Sequence, residues 1–351
     1  MALSPQSVIV VGGGIVGLTV AVAAQSAGHK VTVVARDMPG PTSSIAAGMI
    51  APALEAIGDA DPAESFRRLK TAQQAWLDLV ELWPAPLVRR LRAAQAGPAS
   101  RYLFAPAETA VTLARLTAAG ASFTPLADYN GLAQVRIDGD WLVESAAVLD
   151  DLRHGLKAGG GTVRIATANA VSANAVGLDD GRRIAADHVI LAAGFASAQL
   201  AAQVPSLVVL APVKGQLLDM EVAGEPPAEG VLRSQAGYWA RIGGRARFGA
   251  SMQAGRADFD EDIEVTRDLT ARLRVLAPGL IAHPIARMGV RAASPDGWPM
   301  IGRDAASGIL VATAMRRNGF VFAALAARMM LAFIAGETPS PLALYDPDRF
   351  S

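Results

Sequence analysis

Short β-branched runs alternate along the chain with apolar segments of helical length, and turn residues mark the joins. Val8-Ile9-Val10-Val11 is a continuous apolar run of the kind that forms a buried parallel strand. Gly12-Gly13-Gly14 follows, and Ile15 to Ala27 then has helical length and ends at Gly28, a natural helix stop. Lys30-Val31-Thr32-Val33-Val34 reads as a second strand, so strand, glycine turn, helix and strand make one βαβ unit. Further on, a hairpin-like Asp179-Asp180-Gly181 turn precedes Ala186-Asp187-His188-Val189-Ile190-Leu191, which predicts a buried strand running into Ala192-Ala193-Gly194. Near the end, Ile309 to Thr313 predicts a strand, and Val321 to Ala335 an apolar helix that stops at Gly336.

The first of these stretches is apolar enough to suggest a membrane span or a secretion signal. No Lys or Arg precedes Lys30, and three consecutive glycines would weaken a membrane helix, so a soluble βαβ unit fits better. Gly12-x-Gly14-x-x-Gly17 lies at the turn where a dinucleotide fingerprint belongs. Gly12 permits the tight turn, Gly14 lets the backbone approach a pyrophosphate, and Gly17 lets helix and strand pack closely. The helix N-terminus supplies N–H groups and positive potential to the phosphates. The acid expected roughly 20 residues beyond the glycines is missing, because Ala35 stands there and Arg36-Asp37 follows. Three readings stay open: Asp37 takes over the ribose, Arg36 reads a 2′-phosphate and the cofactor is NADP, or the two form a solvated pair.

Composition narrows the chemistry. The 351 residues are 52% hydrophobic, enough for about two domains at roughly 150 residues each. Basic and acidic residues balance at 32 each without long like-charge blocks, which argues against nucleic acid or an anionic membrane surface as partner. There is no cysteine, so thiolate catalysis, disulfides and iron–sulfur clusters are excluded. His29, His154, His188 and His283 stand apart, and no metal site is expected. Redox chemistry must then belong to a bound organic cofactor. Thr42-Ser43-Ser44-Ile45-Ala46-Ala47-Gly48-Met49-Ile50-Ala51-Pro52 is a run of small and hydroxyl residues that lets backbone lie against a flat ring. Met315-Arg316-Arg317-Asn318-Gly319-Phe320 opens the last apolar helix, whose positive end suits the pyrimidine edge of a reduced flavin.

With these motifs the chain resembles the D-amino-acid oxidase and glycine oxidase group of FAD-dependent amine oxidoreductases, nearly end to end. The N-terminal fingerprint, the Ala35-Arg36-Asp37 junction and the Thr42 to Gly48 run look like D-amino-acid oxidase. Asp296-Gly297-Trp298-Pro299-Met300-Ile301-Gly302-Arg303 and Arg317-Asn318-Gly319 look more like the glycine oxidase of thiamine biosynthesis. Pro212-Val213-Lys214-Gly215-Gln216 resembles the family's crossing strand between domains.

The resemblance implies an α/β fold: a Rossmann-type FAD-binding domain and a second α+β substrate domain on a mixed, largely antiparallel sheet. It places the FAD domain at residues 1–85, 145–212 and 286–351, and the substrate domain at 86–144 and 213–285, with breaks at Trp83-Pro84-Ala85-Pro86 and Gly224-Glu225-Pro226-Pro227. It assigns cofactor contacts to Gly12, Gly14, Ile15, Val16, Gly17, Arg36, Asp37, Thr42, Ser43, Ser44, Ala46, Ala47, Gly48 and Met49. It adds Val171, Ala193, Gly194, Arg316, Arg317, Asn318, Gly319 and Phe320. Arg291 is expected to clamp a substrate carboxylate, aided by Tyr238 and by Arg317 as a second anion grip, while Met252 and Met49 line the substrate pocket. The family has glycine and a histidine- or tyrosine-containing segment before the last helix, where this chain has Ala314-Met315-Arg316-Arg317. The implied activity is oxidative deamination of a small amino acid or amine, of the glycine, sarcosine and D-alanine class, with oxygen as acceptor and peroxide as product. A D-amino-acid dehydrogenase serving a quinone or carrier, a flavoprotein without turnover and an NADP reductase remain as alternatives. A cytoplasmic location is expected, and a homo-oligomer is left open.

Overall fold

The structure is a computed structural model that describes residues 4–37, 42–224, 227–340 and 342–351. The first βαβ unit forms as the pattern requires: strand Ser7–Val11, helix Ile15–Ser26 and strand Lys30–Ala35. Ten consecutive helix residues, Ile15 to Ala24, are buried, so this helix is apolar on every face because it lies between layers. Ser7–Val11 is central in a six-stranded sheet, pairing in parallel with Lys30–Ala35 on one side and His188–Leu191 on the other. Thr162–Ile165 extends the first edge, and Leu310–Thr313 followed by antiparallel Met300–Arg303 the second. The last long helix, Gly319–Ile334, packs on Ile15–Ser26, and both contribute to one large core with Trp76, Leu149 and Leu152.

A second, nine-stranded sheet carries the other domain. Its strands pair antiparallel except where Gly230–Ser234 meets Ser100–Phe104 in parallel, which is the mixed, largely antiparallel sheet expected. Ala211–Glu221 and Ile285–Ala293 run side by side through nine register pairs, from Ala211↔Ala293 to Asp219↔Ile285, and join the domains. The crossing motif Pro212 to Gln216 lies on the first of these strands.

Leu87 and Leu91 of helix Ala85–Gln95, which follows the break expected at residue 85, pack into the core of the six-stranded sheet. Prolines open that helix. At the other break, Gly224 and Pro227 flank Glu225 and Pro226, which lie outside the described residues. Among the described residues no helix is long and apolar enough to cross a membrane.

Candidate active site

Two adjoining cavities run along the junction of the sheets, one of about 600 Å³ and one of about 280 Å³. Thr42, Ala46, Arg291, Arg317 and Phe320 line both.

The larger cavity begins at the glycine turn. Gly12 has φ +127°, and a Cβ there would stand 2.2 Å from the Ala192 carbonyl oxygen, so the turn presses directly on the neighbouring strand end. Gly14, Ile15 and Val16 line the cavity at the start of helix Ile15–Ser26, whose first turn carries no acidic residue and whose N-cap gives no side-chain bond. Ser43 Oγ accepts from the Ile15 N–H at 3.1 Å and so draws the small-residue run against this helix end. A helix end with no acidic side chain in its first turn and glycine backbone beside it suits an anionic pyrophosphate, so the cradle fits a dinucleotide such as FAD. Arg36 and Asp37 line the same cavity and are exposed, with no ion pair between them. Ala193, Gly194, Met315, Arg316, Gly319 and Phe320 continue the wall, so the N-terminus of helix Gly319–Ile334 opens onto it. Ala314 and Arg316 hold φ of +59° and +48°. Ala314 therefore adopts a left-handed backbone, at a cost of roughly 1–2 kcal/mol for a residue with a Cβ.

Some expected cofactor residues act from behind. Gly17 packs the helix on the turn, where a Cβ would meet the Gly12 carbonyl at 2.0 Å. The Ser44 carbonyl accepts from Ser145 Oγ at 3.0 Å and from Arg247 at 3.2 Å. Val171 is not on either cavity surface: its side chain is buried in the smaller apolar core beside Val176 and Leu178. Ala47, Gly48, Met49 and Asn318 line the smaller cavity instead of the larger.

In the smaller cavity Arg291 lies on strand Ile285–Ala293, opposite Val213. Its partners are weak: Nη1 stands 3.4 Å from the Ser251 carbonyl and 3.5 Å from Met252 Sδ. No carboxylate among the described residues pairs with it. Gly215 leaves room for the guanidinium, since a Cβ there would be 2.1 Å from Nη1. Burial pulls the Arg291 guanidinium down from its ordinary value, yet an arginine keeps its charge. Tyr238 lines the same space, and burial pushes its hydroxyl up against the opposing pull of Arg291, so it remains a neutral donor. Met252, 45% exposed, and Met49 complete the apolar lining.

Arg317 lines both cavities, and acids already engage it. Its guanidinium pairs with Glu55, donates to the Glu55 carbonyl at 3.2 Å and stands 3.6 Å from Asp59, so its charge is already met. Glu55 is buried on the short helix Pro52–Ala56 and also receives Arg233 Nη1 at 2.9 Å. Burial alone would raise the Glu55 carboxyl, but Arg233 and Arg317 together hold it below the ordinary carboxylate value. Sequence reasoning passed over Glu55 and Arg233, although Glu55 is the lone charge in Ala51-Pro52-Ala53-Leu54-Glu55-Ala56-Ile57. It also passed over the charge of Lys214, fully buried on the crossing strand, which grips the Asp258 carboxylate and the Asp260 carbonyl. Ala257 and Phe259 of that gripped segment cover the larger cavity.

The FAD dependent oxidoreductase family designated DAO matches residues 7–332. The chain is similar to the bifunctional protein ThiO/ThiG of Trichormus variabilis, 26% identical over 363 residues that cover 96% of this chain and 54% of that protein. It thus spans about half the length of the curated bifunctional relatives it matches. It is also similar to a glycine oxidase of Pseudomonas aeruginosa, 27% identical over 95% of this chain and 96% of that one. The fold matches the crystal structure of glycine oxidase from Geobacillus kaustophilus with a TM-score of 0.82 at 20% identity, covering 98% and 99% of the two chains. With the family match running from the first strand into the last helix, the chain belongs to the FAD-dependent oxidoreductases of the D-amino-acid oxidase type, and its cofactor is FAD and not NADP.

Proposed function

We propose that this protein oxidises a small amino acid or amine at its CH–NH bond. The observation that carries the reading is Arg291: a half-buried guanidinium with no carboxylate partner among the described residues, beside a neutral Tyr238 hydroxyl, where the two cavities meet. A planar fork of this kind matches a carboxylate in two-point fashion. Arg291 would hold the substrate carboxylate with Tyr238 donating a second bond, and the apolar contacts of Met49 and Met252 would exclude water from the Cα side. Gly14, Ile15, Val16, Arg36, Asp37, Thr42, Ser43 and Ala46 would hold the FAD, together with Ala193, Gly194, Arg316, Gly319 and Phe320. Bound FAD supplies a two-electron acceptor for the hydrogen leaving Cα. With oxygen as terminal acceptor, amino acid, oxygen and water give oxo acid, ammonia and hydrogen peroxide. Similarity to proteins named glycine oxidase supports glycine as first candidate, with sarcosine and D-alanine as the other small amines expected from the sequence.

The test is the visible spectrum of the purified protein under anaerobic addition of glycine, sarcosine and D-alanine in turn, followed by admission of air. The expected result is a flavin band that bleaches and then recovers with release of peroxide. Bleaching with slow recovery and no peroxide would move the acceptor to a quinone or carrier. A flavin band that none of the three bleaches would move the substrate to another amine, and a flavin that no amine reduces would overturn the reading.

A further inference from the structure

The smaller cavity holds more cationic groups than one carboxylate requires. Arg233, Arg272, Arg291 and Arg317 line it against a single lining carboxylate, Glu55. Arg272 is already paired on its own helix, with Asp268 at 2.7 Å, and lies half exposed. Arg291 is the group assigned above to the α-carboxylate. Arg233 and Arg317 then share Glu55, and Asp59 assists Arg317 only at 3.6 Å from a partly exposed position. Arg233 engages Glu55 through Nη1, which leaves the rest of its fork without a protein acceptor among the described residues.

Arg233 is also well placed relative to the clamp. It stands directly opposite Tyr238 in the antiparallel pair Gly230–Ser234 and Gly237–Ile242. Opposite residues share one face of a sheet with Cβ atoms roughly 5 Å apart. Tyr238 is within electrostatic reach of both Arg291 and Arg233. A carboxylate on Arg291 therefore leaves room in a cavity of about 280 Å³ for a further group that meets Arg233.

We propose that the substrate is an amine bearing two carboxylates, the first held by Arg291 and Tyr238 and the second by Arg233. The inference rests on the amine-oxidation reading of this site and narrows it from glycine-like substrates to amino dicarboxylates. Arg233 then acts as the specificity-determining residue, because a guanidinium fork rewards a second carboxylate and gains nothing from a methyl group.

The FAD-loaded protein is tested for anaerobic flavin reduction by sarcosine, D-alanine, iminodiacetate and D-aspartate, as wild type, Arg233→Met and Arg233→Lys. Glutarate and acetate are titrated in parallel as unreactive ligands, read from the flavin spectrum. Iminodiacetate or D-aspartate is expected to show a KM about tenfold or more below its one-carboxylate counterpart. Arg233→Met should erase that advantage and the preference for glutarate over acetate, with Arg233→Lys restoring part of both. If sarcosine or D-alanine reduces the flavin and the dicarboxylates do not, or if Arg233→Met leaves the ratios unchanged, the second-carboxylate site is overturned while amine oxidation stands. If no amine reduces the flavin and neither acid perturbs it, both readings fall together.

Discussion

Two partly or fully buried ionisable side chains, Arg291 and Asp140, carry tests at the scale of single residues. Arg291→Met removes the free cation but not the apolar stem. Loss of a charged two-point contact should raise the substrate KM about 100-fold while the flavin stays bound, checked by steady-state kinetics alongside the bound-flavin spectrum. A variant that loses flavin yet keeps its KM would place Arg291 in cofactor binding instead. Asp140 is buried and caps the helix that carries Glu55, accepting from the Ala53 N–H at 3.1 Å. Burial pushes its carboxyl from 3.8 up to about 7, against the pull of the Ala53 and Leu54 N–H groups. Between those values the folded protein keeps a proton that the unfolded chain has released. The associated stability is therefore full below the unfolded value and is lost as pH rises through the folded one, by at most about 1.4 kcal/mol per unit. Asp140→Asn removes this dependence, so urea unfolding should show the variant gaining on the wild type from pH 5 to pH 8. Parallel stabilities across that range would place the ionisation elsewhere.

Among elements, the turn from Gly12 to Gly14 and the crossing strand carry the most consequence. A Cβ at Gly14 meets, among the described residues, only Ser43, its hydroxyl at 3.0 Å, whereas one at Gly12 or Gly17 meets backbone at 2.2 or 2.0 Å. Gly14→Val should thus fold and lose FAD retention, read as a colourless protein with an unchanged melting profile of the FAD-free form. A yellow, fully loaded variant would mean that the pyrophosphate lies away from this turn. On the crossing strand, Lys214 and Gln216 both clip the segment that follows Met252: Lys214 through Asp258 and Asp260, and Gln216 through the Asp262 backbone at 2.9 and 3.0 Å. Asp258 is held well below the usual carboxylate range by Arg256 first and Lys214 second. Lys214→Met leaves Arg256 on Asp258 and Gln216 on Asp262 but removes the strand's hold on residues 258–260. The expected outcome is a faster FAD off-rate and earlier proteolytic cleavage between residues 253 and 262, with the sheet core intact. Unchanged cleavage and off-rate would show that the cover is held by other contacts.

At the scale of the whole molecule, the two cavities exist because two sheets built from discontinuous segments close on each other along Ala211–Glu221 and Ile285–Ala293. Glu55 ties that closure together, with Arg317 reaching it from the cofactor side and Arg233 from the substrate sheet. The βαβ unit, the glycine turn, the last helix and the choice of a bound organic cofactor were legible in the sequence alone. These rest on local periodicity, backbone freedom at glycine and the absence of cysteine, all of which act within a few residues or are plain composition. Resemblance to a family pointed to Arg291 and Tyr238 as neighbours, and they do line one cavity, although nothing in their spacing brings residues 53 apart in sequence together. Tertiary structure alone decided that Arg317 is neutralised by Glu55 and that Arg233 faces the cavity beside Tyr238. It also set Lys214 to hold the cover and turned the side chain of Val171 into an apolar core. Each is a matter of charge pairing or side-chain direction between distant segments. An arginine in a sequence carries the same charge wherever it stands, and only the packed chain determines whether an acid has already met it.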